Sequence, residues 1–167
     1  MKFNSRDISL TAVFAALYAV LVLALAGFSF QIVQVRIADA LIPLSIVFGW
    51  PVVLGVTVGC VVANIASPMP SIITDITLGS LANFIASLVA WRVGLWKTGK
   101  GVSELLGCLA ATVLITFIVG TYLAVLTEME LWVWWLGIGI GSIISITVIG
   151  YALVQILKRL TAKPSTT

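Results

Sequence analysis

The stretch ISLTAVFAALYAVLVLALAGF, residues 8–28, runs for 21 positions without a charged side chain. As a helix rising 1.5 Å per residue it reaches about 31 Å, the thickness of a bilayer's hydrocarbon core. Apolar runs of similar length follow at 71–91, 103–126 and 131–157, with Asp75 and Glu104 as the charges within them. Across all 167 residues, 61% are hydrophobic and only 9% charged. A soluble domain averages roughly 25% charged residues, so this chain has too little polar surface to cover itself in water. The reading is a polytopic membrane protein, an all-α helical bundle forming one domain over residues 1–167.

Two shorter apolar segments, 37–49 and 52–66, lie between the first and second long runs and are joined by Gly49-Trp50-Pro51. Fifteen helical residues reach only about 22 Å, so the pair either crosses a thin or tilted bundle or forms a re-entrant hairpin. Either way the chain returns to the side it left. Ser67-Pro68-Met69-Pro70 reads as a turn, and Ser5 as a helix cap. Ala24-Leu25-Ala26 mimics a signal-peptidase site, but the apolar stretch outlasts a usual signal core and favours a retained helix.

The charges give an orientation. Lys2, Arg6, Arg92, Lys97, Lys100, Lys158, Arg159 and Lys163 lie at the termini or in the 92–101 loop, while Glu128 and Glu130 occupy an opposite loop. By the positive-inside rule both termini are cytoplasmic and the bundle has six transmembrane segments in the plasma membrane. A net charge of +3 is therefore topological and calls for no nucleic acid. Cys60 and Cys108 sit within apolar segments and read as packing residues. The chain has no His, no Walker-type glycine loop and no metal-ligand cluster, and Gly137, Gly139 and Gly141 belong to a hydrophobic span. No catalytic residues, metal or cofactor are expected, and nothing here hydrolyses ATP.

This topology puts Arg36, Asp39, Asn64 and Asp75 near the outer face. Polar groups at membrane depth are costly and usually turn toward partners or a cavity. Arg36 and Asp39 are one helical turn apart and read either as a helix-start ion pair or as part of a binding site. Asp75, Gly79, Asn83, Ala86 and Ala90 share one helix face, polar at its outer end and small along its length. Asp75 could also be a solvated first-turn residue favoured by the helix dipole, and Asn64 could merely satisfy its helix end. Ala12 and Ala16, with Ala15 and Ala19, form two small-xxx-small registers suited to helix docking, inside the bundle or against a partner.

Taken together, QVRIADAL (34–41), GCVVANI (59–65) and DITLGSLANFIAS (75–87) resemble the QueT family. Its members are substrate-binding (S) components of energy-coupling factor transporters, proposed to import queuosine precursors. The resemblance covers most of residues 8–92; the last two spans match in hydropathy alone. It implies a six-helix bundle with an outward-facing substrate site and an alanine face on the first helix, here Ala12, Ala15, Ala16 and Ala19. That face would dock on a transmembrane scaffold subunit driven by two ATPase subunits. Arg36, Asn64, Asp75, Gly79 and Ser80 match the family pattern. Asp39 stands where the pattern has Glu and Asn83 where it has Thr, shortening one carboxylate and altering one polar contact.

A deazaguanine-type base presents an N–H and an NH2 side by side, matching the two oxygens of a carboxylate. Asp75 suits that edge, with Asn83 or Asn64 reading the carbonyl edge and Trp132 or Trp134 stacking on the ring. Arg36 would hold Asp39, and Gln34 beside them completes the candidate set. The alternatives are an S component for another vitamin or small polar metabolite, and a ligand-free membrane assembly protein.

Overall fold

The computed structural model describes residues 4–29, 35–99 and 101–161, and these form helices and no strands. Gln34, Lys2, Lys100 and Lys163 lie outside the described residues. Six helical rods follow in order: α1 (Ser5–Ala24), α2 (Ile37–Phe48), α3 (Trp50–Asn64), α4 (Ile72–Gly94), α5 (Val102–Thr127) and α6 (Leu131–Thr161). Helices α1, α4, α5 and α6 are long and apolar enough to cross a membrane, whereas α2 and α3 are shorter.

The cap of α1 is Asn4, not Ser5. Asn4 has extended backbone, its side chain accepts from the Asp7 amide at 2.9 Å, and the Asp7 carboxylate accepts from the Asn4 amide at 3.2 Å. Ser5 is already helical and so has lost the geometry a cap needs. Gly49 breaks the chain between α2 and α3 with φ 65°, and a Cβ there would lie 3.1 Å from the Trp91 ring. Ser71 opens α4 by accepting from the Thr74 amide.

Neighbouring helices run α1–α3–α4–α5–α6, and α2 touches all five of the others. Its residues Ala38–Ile46 are buried without a break. The segment begins as a 3-10 helix, Ile37–Leu44, and finishes as an α-turn. At 2.0 Å per residue in the first part it reaches about 22 Å, close to the length of α3. The two form a hairpin through most of the bundle's depth. Its open end meets α4 at Asp75, through Asn64, and its turn meets α4 at Trp91, through Gly49. Those α4 residues are separated by about 24 Å of helix.

Glycine lets the rods approach. A Cβ on Gly59 would sit 2.7 Å from both the Ala15 carbonyl and the Tyr18 Cβ, so the Gly55/Gly59 face of α3 lies directly on α1. This is the small-residue contact of membrane helices. It separates the alanines of α1: Ala15 and Ala19 turn into the bundle, while Ala12 and Ala16 stay exposed. On α6 the middle turns widen into a π-helix, Ile143–Gly150, which packs on α2. There a Cβ on Gly150 would stand 2.8 Å from Pro43.

Candidate functional site

Asp75 lies one turn into α4 and is only 2% exposed, which removes the reading of a solvated first-turn carboxylate. Its Oδ1 accepts from the Tyr122 hydroxyl of α5 at 2.6 Å, the length of a charge-assisted O–H···O bond. Its backbone carbonyl accepts from Asn64 Nδ2 at 2.9 Å, so the last residue of α3 is latched onto the first turns of α4. Gly79 makes room for the latch. A Cβ there would meet Asn64 Nδ2 at 2.7 Å and the Tyr122 hydroxyl at 3.2 Å. Two acceptors of this group, Asp75 Oδ2 and Asn64 Oδ1, are buried with no hydrogen-bond partner among the described residues.

A second carboxylate repeats the pattern. Asp39 Oδ1 of α2 accepts from the Tyr18 hydroxyl of α1 at 2.6 Å. Arg36 is buried at the start of α2, and its charge acts on Tyr18, Asp39, Cys60 and Tyr122. Cys60 of α3 is buried as well. The tyrosine–carboxylate pairs, the guanidinium and Asn64 of α3 thus draw polar groups from five helices toward the same interior. A buried polar group costs a few kcal/mol when left unpaired, so the orphaned acceptors mark where a donor-bearing ligand would be favoured. Among the described residues no group of three or more Cys, Asp or Glu is placed to hold a metal ion.

Some expected members lie elsewhere. Asn83 is buried on the Asp75 face, but eight residues along, or about 12 Å of helix, and its Nδ2 donates to the Val56 carbonyl at 3.4 Å. Trp134 is buried in the hydrophobic core with its indole N–H bonded to Thr127 Oγ1 at 2.8 Å. Trp132 is 61% exposed, because the first turn of α6 points it off the bundle. The aromatic rings that reach the cluster are Tyr18 and Tyr122. The sequence held one sign of them: phenols inside otherwise apolar spans need a hydroxyl partner.

Two surface grooves flank this frame. One of about 470 Å³ runs between α1 and α3 over Ile8, Thr11, Ala12, Ala15, Leu54 and Val58. The other, about 560 Å³, runs between α4 and α5, and the Tyr122 that bonds Asp75 forms part of its wall.

In comparison with known proteins, the family described as QueT transporter matches residues 8–159, which extends through the last two helices. No curated protein and no solved structure matches the chain.

Proposed function

The chain belongs to the QueT transporter family, and from that premise we propose that it is the substrate-binding subunit of an energy-coupling factor importer for a queuosine precursor. The family is one of transporters and not of enzymes, and the long apolar helices make this a multi-pass membrane protein. The buried cluster around Asp75 is the substrate site. The observation that carries this reading is the pair of orphaned acceptors, Asp75 Oδ2 and Asn64 Oδ1, enclosed where three helices meet.

A deazaguanine-type base fits their chemistry. Its adjacent N–H and NH2 donate to the Asp75 carboxylate, whose Oδ1 is already oriented by Tyr122. Asn64 turns its amide oxygen, not its NH2, toward the ligand, because Nδ2 is held on the Asp75 carbonyl. Asn64 therefore reads a donor and not the carbonyl edge. Arg36 and Asp39 brace the other side, and Gln34 belongs to the same candidate set. The exposed Ala12/Ala16 stripe and the groove beside it are the docking face for a transmembrane scaffold subunit, with two ATPase subunits supplying energy at the plasma membrane.

The test is calorimetry on the purified protein with a 7-deazaguanine ligand. Asp75→Asn turns one acceptor into a donor and should weaken binding at least 100-fold, since a site built for donors strongly rejects a mismatch. The variant should still insert and unfold cooperatively. Unchanged affinity would move the site away from Asp75.

A further inference from the structure

Two uncommon windings pack on each other in this bundle. Ile37–Leu44 of α2 is eight residues of 3-10 helix, and Ile143–Gly150 of α6 is eight residues of π-helix. Runs of 3-10 helix beyond three or four residues are uncommon, and π-winding is mostly confined to single turns. Pro43 stands at the contact: a Cβ on Gly150 would lie 2.8 Å from its Cγ and 3.2 Å from its Cδ. Glycine at the end of the π stretch lets the ring seat there.

Pro43 also removes the α alternative. In an α-helix a proline ring collides with the carbonyl four residues earlier, here that of Asp39, and the preceding residue is steered out of the α region. A 3-10 turn closes on the carbonyl three residues back. The segment opens that way, with the Asp39 amide donating to the Arg36 carbonyl at 2.9 Å. The winding fixes where Asp39 points. Counted back from Pro43, α-winding would draw Asp39 in by about 2 Å and turn it by about 80° relative to the 3-10 form. The buried bond from the Tyr18 hydroxyl to Asp39 Oδ1, 2.6 Å long, does not survive such a turn.

We propose that Pro43 is a positioning residue for the polar cluster. Seated on Gly150, it holds Ile37–Leu44 in the 3-10 form and so keeps Asp39 on Tyr18, on the side of the cluster that carries Arg36. It acts through Asp39 and not by contact with substrate. Its consequence for binding rests on the cluster being the substrate site, as read above; its hold on the winding does not.

The experiment is a double-mutant cycle between Pro43→Ala and Tyr18→Phe in the purified full chain in detergent, read first by thermal unfolding without ligand. Tyr18→Phe should lower the wild-type midpoint by roughly 5 °C, as loss of a hydrogen bond to a buried carboxylate does, and should not lower that of Pro43→Ala. Ile42→Val loosens the same segment but keeps the proline, and should retain the full Tyr18→Phe shift. Additive midpoints overturn the inference and leave Pro43 as a space-filling residue. Loss of the shift in Ile42→Val overturns it too, since any loosening would then break the pair. If Pro43→Ala does not fold, Gly150→Ala replaces it, because the new Cβ displaces the ring; a full Tyr18→Phe shift there overturns the inference equally. Calorimetry with 7-deazaguanine gives the second readout. Pro43→Ala should weaken binding about 10-fold, and adding Tyr18→Phe should change it by less than about twofold. Undiminished affinity beside non-additive midpoints overturns the role in binding. A wild type that does not bind 7-deazaguanine overturns the substrate-site reading, and the midpoints alone then decide on Pro43.

Discussion

Tyr122 and Tyr18 are the residues on which the polar cluster turns, each donating to a buried carboxylate at 2.6 Å. A phenol buried in a helix bundle needs an acceptor, and a buried carboxylate needs a donor, so each pair settles two costs with one bond. Hydrogen bonds to charged groups contribute about 1.5–3 kcal/mol. Tyr122→Phe should therefore lower stability by about that amount, since Asp75 would lose its partner at Oδ1 while Oδ2 already has none. Trp132→Phe, on an exposed side chain, should stay within about 0.5 kcal/mol. Thermal unfolding in detergent compares the two. A Tyr122→Phe midpoint equal to the wild type's would show that the bond adds nothing to the fold.

Among the elements, α1 presents its two alanine registers to different surroundings. Ala15 and Ala19 turn inward, with Ala15 lying on the glycine face of α3, and Ala12 and Ala16 remain on the outside beside a groove of about 470 Å³. Substitutions on the two sides should fail differently. Ala16→Trp fills the outer stripe and is expected to abolish uptake by the assembled transporter while ligand affinity stays within about twofold, because nothing inside the bundle moves. Gly59→Leu drives a side chain into the Ala15 carbonyl and Tyr18, so both ligand binding and thermal stability should drop. Uptake assays paired with calorimetry separate these outcomes. Normal uptake by Ala16→Trp would leave the outer stripe as lipid-facing surface.

In the whole molecule, the polar cluster, which includes Arg36, lies at the opposite end from the basic residues Arg92 and Lys158. Asn64, Asp75 and Tyr122 meet at one end, while the Glu104–Lys158 ion pair and Arg92, stacked over Trp91, lie at the other. With the basic end cytoplasmic, as proposed, the cluster would face outward. The orientation is testable because Cys60 and Cys108 are both buried and should give little background. A membrane-impermeant thiol reagent applied to intact cells should label Met129→Cys and spare Thr98→Cys. The reverse pattern would turn the site toward the cytoplasm and remove its role in uptake.

The spans were legible along the chain because apolar length is a local property, and 8–28, 71–91, 103–126 and 131–157 each correspond to a helix of nearly that extent. The buried face of Asp75, Gly79 and Asn83 was legible for the same reason, since helical spacing sets it. Spacing says nothing about position along the axis relative to other helices, which is why Asn83 shares the face of Asp75 yet serves Val56. Nor does it choose between two alanine registers when a glycine face elsewhere decides which one is covered. The central place of α2, its 3-10 winding against the π-turns of α6, and the pairing of Tyr122 with Asp75 across 47 residues all came from packing. Those contacts join groups distant in sequence, and their partners become defined only when the helices close around one interior.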